Sequence, residues 1–165
     1  MTMTLPEATT DPDVRRLLTG EEFNAVLHTI ERDNPDLSSD AAARVLVEAI
    51  KFVATGALFP GHGMRPSRSV DKGWHALILH TATYAALCQR LGRFVHHRPD
   101  VPGSLPALAL SFDQTQQLMV QAGFAPDRTL WFNPGDGMTM GEDCGDGGPC
   151  CKWCDPNEPK PEPKD

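Results

Sequence analysis

Residues 66–99 read PSRSVDKGWHALILHTATYAALCQRLGRFVHHRP and hold four of the six histidines and the only tyrosine of the chain. Ser67 and Ser69 belong to the residue types that cap a helix N-terminus, and Gly92 to the type that ends a helix. The stretch therefore predicts one long helix that begins at Ser67 or Ser69 and continues to about Leu91.

Further helices are predicted on both sides of this stretch. Residues 20–33 carry apolar side chains at helical spacing, and residues 38–56 carry a broad apolar stripe that Gly56 is expected to end. Another helix is predicted from about residue 106 to residue 121, and no alternation typical of strands is convincing. The predicted fold is all-α, a small bundle of four to five helices with an irregular Cys/Gly-rich C-terminal appendage.

Composition divides the chain into four parts. Residues 1–12 are expected to be a disordered lead, and residues 13–141 a helical domain. Residues 142–154 form a Cys/Gly-rich segment, and residues 155–165 a Pro-rich charged tail that is expected to be disordered.

The net charge of −7 lies in the two ends of the chain, with −3 in residues 1–13 and −4 in residues 142–165. Acidic ends oppose binding to nucleic acid or to anionic lipid, and no basic stripe with interleaved aromatic residues is present. No apolar run approaches the roughly 20 residues of a membrane helix, and residues 1–13 lack the features of a signal peptide. We therefore expect a cytoplasmic protein without a nucleic-acid or membrane partner.

One candidate site joins Asp71, His75 and His97. Asp71 and His75 are four residues apart and share a face of the predicted helix, and His97 returns after Gly92. Two imidazoles and one carboxylate suit Zn²⁺ or Fe²⁺ with an open coordination position. The alternative is structural, with Asp71 only orienting His75 through a hydrogen bond in a packed interior.

A second line of side chains on the same helix consists of His80, Tyr84 and Cys88. It is expected to pack inward, with Cys88 as a small buried residue, and Trp74 and Tyr84 are expected to be aromatic residues of the core or of a pocket lining.

The strongest candidate metal site is a cluster of four cysteines within eleven residues, spaced C-x5-C-C-x2-C: Cys144, Cys150, Cys151 and Cys154. Four thiolates in a glycine-rich loop could enclose a single Zn²⁺ tetrahedrally. Two alternatives stay open. The thiols could lie unpaired in a flexible tail, or serve a redox or iron–sulfur role.

The central stretch also resembles the glycine-rich domain-containing protein-like family. The matching positions cover roughly the central fifth of the chain and are Pro66, Ser67, Val70, Asp71, Trp74, His75, Leu79, His80, Thr81, Tyr84, Cys88, Gly92, His97 and Pro99. The segment around Leu130 and Trp131 and the late Cys/Gly-rich stretch are similar as well. The resemblance implies a helical domain and says little about activity.

Three classes of function are consistent with these patterns. The first is a metal-binding or interaction module with a protein partner, and zinc is the expected ion. The second is a metal-assisted, hydrolase-like enzyme with a site at Asp71, His75 and His97. The third is a precursor or carrier protein whose Cys-rich tail is modified. The first is favoured because no nucleophile–base pair and no cofactor motif is visible.

Overall fold

The computed structural model describes residues 13–97 and 110–132. Within these ranges the elements are a 3₁₀ helix Val14–Leu17, α1 Gly20–Asp33, α2 Ser39–Leu58, α3 Arg68–Leu79, α4 Thr81–Arg90, α5 Phe112–Gln121 and a 3₁₀ helix Arg128–Leu130. No strand occurs in this part of the chain, so the prediction of an all-α fold is confirmed there. The predicted Cys/Gly-rich appendage lies outside the described residues.

Side-chain caps set the starts of four of these helices. Thr19, Ser38, Ser67 and Ser111 each accept a hydrogen bond from the backbone N–H three residues further along. Each bond satisfies one of the N–H groups that a helix N-terminus leaves without a partner. Ser67, rather than Ser69, is therefore the N-cap residue of α3.

The prediction of one continuous helix from Ser67 or Ser69 to Leu91 is wrong. His80 has backbone angles of φ −87° and ψ 69°, so α3 ends at Leu79 and α4 begins at Thr81. The His80 ring nitrogen Nε2 lies 2.8 Å from the hydroxyl of Thr29 on α1. This contact to another helix holds the ring at the point where the helical path is interrupted.

The expected end of α2 at Gly56 is also wrong, because the helix continues to Leu58. Gly56 instead provides space for a neighbouring segment. A Cβ atom placed on Gly56 would lie 3.3 Å from Cγ1 of Val95. The glycine thus marks a close approach between α2 and the segment that follows α4.

α2 is the central helix of the core, and α3 packs tightly against it. A Cβ atom on Gly73 would lie only 2.8 Å from both the Val45 carbonyl oxygen and the Ala49 Cβ atom. The absence of a side chain at Gly73 therefore sets how closely the two helices approach. Around this contact, Leu77 and other apolar residues are fully buried.

The segment after α5 returns to α2 through a buried carboxylate. Glu48 accepts hydrogen bonds from the Trp131 indole N–H at 2.7 Å and from the Asp127 backbone N–H at 3.0 Å. Trp131 is buried against the core, whereas the next residue, Phe132, is exposed.

Lys51, one turn further along α2, holds the same segment. Its ammonium group donates to the Ala125 carbonyl at 2.7 Å and lies 3.9 Å from the Glu48 carboxylate. Burial raises the pKa of Glu48 in spite of these partners. In the described ranges, every helix falls short of the length and apolarity that a membrane crossing requires.

Candidate functional site

The candidate site lies where the chain turns back after α4. Gly92 has a φ angle of +75°, which residues with a side chain rarely adopt. Residues 94–97 then run without helical structure, and their exposure alternates. Phe94 and His96 are exposed, whereas Val95 and His97 are partly buried. Such alternation is typical of an extended segment that lies on a surface with one face inward.

The Tyr84 hydroxyl anchors this segment to the core. It accepts a hydrogen bond from the Trp74 indole N–H at 3.0 Å and donates one to the Val95 carbonyl oxygen. Burial raises the pKa of Tyr84, so the phenol stays protonated and can donate. The predicted burial of Trp74 and Tyr84 is confirmed.

The anchored segment brings His97 against α3. Its Nε2 atom lies 3.1 Å from Oδ1 of Asp71, and its ring packs edge-on against Trp74 at a centroid distance of 4.5 Å. An ionised carboxylate can only accept, so Nε2 carries the proton in this hydrogen bond. In the neutral ring, Nδ1 then has a free lone pair, and the pair lies at the surface with the Asp71 side chain 48% exposed.

His75 stands apart from this pair. It is exposed, and the hydrogen bond that joins Asp71 to His97 does not include it. The pKa of Asp33 is lowered mainly by a hydrogen bond from Arg32 and only weakly by the charge of His75. Of the three predicted site residues, the structure therefore brings together Asp71 and His97, while His75 makes no described hydrogen bond with either. The proposed three-residue metal site stays a prediction.

The second predicted line is split by the interruption at His80. Tyr84 and Cys88 are buried on α4, whereas His80 contacts Thr29 on α1. Among the described hydrogen bonds, His80 pairs with Thr29 and not with Tyr84. The link from Trp74 to Tyr84 was not predicted, although a buried indole N–H and a buried phenol both require a partner.

The four clustered cysteines, Cys144, Cys150, Cys151 and Cys154, lie outside the described residues. Within residues 13–97 and 110–132, no three His, Cys, Asp or Glu side chains gather closely enough to hold a metal ion. Cys88 is the free cysteine of this part of the chain, and it is buried.

Comparison with known proteins gives one family. Neither the curated proteins nor the solved structures include a match to this chain. The model of a family described as UCP032817-like matches residues 15–124, a range that includes the five α-helices of the described residues and the turn that carries His97. The match covers more than half of the 165 residues. The chain therefore belongs to the UCP032817-like family.

Proposed function

We propose that this protein is a cytoplasmic metal-binding or interaction module, in which the helical domain is a rigid scaffold and the Cys-rich segment holds Zn²⁺. Soft thiolate ligands suit zinc, and Cys144, Cys150, Cys151 and Cys154 supply the four that a closed structural site needs. The resemblance to the glycine-rich domain-containing protein-like family, with its late Cys/Gly-rich stretch, is consistent with this proposal.

The hydrogen bonding of the interior polar groups favours a scaffold. Among the described residues, every buried side-chain nitrogen or oxygen atom has a hydrogen-bond partner. Glu48 binds Trp131, and Tyr84 joins Trp74 to Val95. These groups hold segments of the chain together, as a rigid scaffold requires.

Metal analysis of the full-length protein tests the proposal. We expect about one zinc per chain after purification, and loss of that zinc when all four clustered cysteines are replaced by serine. Cys88→Ala is the matched control, because it removes a buried thiol of the helical domain. Zinc that survives the fourfold replacement but disappears in His75→Ala or His97→Ala would place the metal at Asp71, His75 and His97 and refute the proposal.

A second candidate function is favoured by the hydrogen bond between Asp71 and His97. A carboxylate that orients a histidine and leaves its other ring nitrogen free is a common arrangement for a general base. In this alternative the protein is a metal-assisted, hydrolase-like enzyme with a site at Asp71, His75 and His97. We expect it to hydrolyse p-nitrophenyl acetate at a rate that falls about 100-fold in His97→Gln. Equal rates for the wild-type and variant proteins would refute this alternative.

A further inference from the structure

A solvent-open groove lies beside the turn that carries the Asp71–His97 pair. It has a volume of about 320 Å³, and we call it the Phe94 groove. Its described lining consists of Ala85, Cys88, Gln89, Gly92, Arg93 and Phe94.

Phe94 gives the groove an apolar wall that the core does not cover. The ring is 51% exposed, although its neighbour Val95 packs against the core. The rings of Phe94 and Tyr84 are nearly perpendicular, at a centroid distance of 5.5 Å, and the centroid of the His96 ring lies 4.8 Å from that of Phe94. The alternation along residues 94–97 turns this aromatic ring outward, so the groove presents it to a partner.

The charge of the described groove lining is positive. Arg93 is exposed and lines the groove, and no acidic residue contributes to the described lining. None of the ion pairs formed within residues 13–97 and 110–132 includes Arg93. Its guanidinium group therefore faces the solvent with its charge uncompensated by those residues, and it can bind a carboxylate in a bidentate manner.

A second groove, with a volume of about 300 Å³, provides a comparison for the charge of the Phe94 groove. It is lined mainly by apolar residues such as Leu17, Leu58 and Phe124, with Asp13 and Arg16 also contributing to its lining. Asp13 and Arg16 lie 3.4 Å apart and compensate each other. That groove selects no charge in its occupant, whereas the Phe94 groove favours an anion.

We propose that the Phe94 groove binds a short segment of a partner protein in which an apolar side chain stands next to Asp or Glu. The apolar side chain would pack on Phe94 and Ala85, and the carboxylate would pair with Arg93. An open groove suits an extended peptide that crosses it, whereas small molecules favour enclosed pockets. This inference rests on the proposed interaction role and specifies the chemistry of the partner.

Peptide titration of the full-length protein tests the proposal. The probe is the dye-labelled peptide EELFEE, followed by fluorescence anisotropy, with KKLFKK and EESSEE as matched peptides. We expect saturable binding of EELFEE with a Kd below about 1 mM, and no saturation by the other two at that concentration. Arg93→Gln and Gln89→Glu should each weaken the binding by about tenfold, through loss of the cation and gain of a like charge.

Arg16→Gln is the matched control, because it removes an exposed arginine from the other groove. It should leave the Kd unchanged within about twofold. The proposal is overturned if EELFEE does not saturate, if either matched peptide binds equally well, or if Arg16→Gln weakens binding as much as Arg93→Gln. Zinc content is measured on the same samples. A protein that contains zinc but does not bind the peptide refutes only the proposal for the groove. A protein that binds the peptide but contains no zinc refutes only the proposal for the metal site.

Discussion

Replacing Gly73 by alanine tests the close contact between α2 and α3. In an exposed helix this change would stabilise the protein by about 1 kcal/mol, because alanine has the higher helix propensity. At Gly73 the new methyl group would lie 2.8 Å from the Ala49 Cβ atom and from the Val45 carbonyl oxygen. The carbonyl belongs to the backbone of α2 and cannot rotate away as a side chain would.

The structure sets the direction and the size of the effect. Overpacking of a core costs about 1–3 kcal/mol, and two contacts of this length place Gly73→Ala at the upper end of that range. Subtraction of the helix-propensity gain leaves a net loss of about 2 kcal/mol in the free energy of unfolding. For a protein of this size, the Tm should fall by about 4–8 °C.

Thermal unfolding followed by far-UV circular dichroism measures this change, with Gly20→Ala as the matched control. A Cβ atom on Gly20 meets nothing within 4 Å, so that variant should keep or slightly raise the Tm. If Gly73→Ala melts at the same temperature as Gly20→Ala, the two helices are not held at the separation described here, and the reasoning fails.

Three further predictions concern the polar anchors. Tyr84→Phe keeps the ring but leaves the Trp74 N–H and the Val95 carbonyl without their partner. The free energy of unfolding, measured with urea, should therefore fall by about 2–4 kcal/mol. A fall near zero would contradict the role of the Tyr84 hydroxyl as an anchor. Trp131→Phe removes a hydrogen bond to buried Glu48 and should reduce the free energy of unfolding by about 1–3 kcal/mol in the same assay. An unchanged urea midpoint would contradict this prediction. Because the pKa of Glu48 is raised in the folded state, its contribution to stability is present below its ordinary pKa of 4.5 and is lost as the pH rises through the folded-state value. Glu48→Gln should therefore gain stability relative to the wild type as the pH rises above 4.5, and a difference independent of pH would show that Glu48 does not titrate in this way.

Local signals in the sequence predicted much of the helical framework. Ser38 and Ser67 are hydrogen-bonding residues immediately before apolar periodic segments, and each caps a helix in the structure. Gly92 adopts the positive φ angle that allows the chain to leave a helix. Such features depend on a few neighbouring residues, which is why they can be recognised without knowledge of the fold.

The interruption at His80 could not be recognised in this way, because its partner Thr29 lies 51 residues earlier in the chain. The same limit affects the candidate site. Helical spacing predicts that Asp71 and His75 share a face, but it does not determine which partner the carboxylate binds. His97 reaches Asp71 because Val95 is anchored to Tyr84, and that anchor is a tertiary contact.

The hydrogen bond between Glu48 and Trp131 has a consequence for the order of events during synthesis. The two residues are 83 positions apart. At about 5–20 residues per second, the ribosome adds Trp131 about 4–17 seconds after Glu48. Throughout that interval α2 can pair with α1 and then with α3, but the carboxylate lacks both of its N–H donors and retains its water. The face of α2 that carries Glu48 is therefore the last to be covered. A nascent chain stalled before Trp131 should expose this face to solvent.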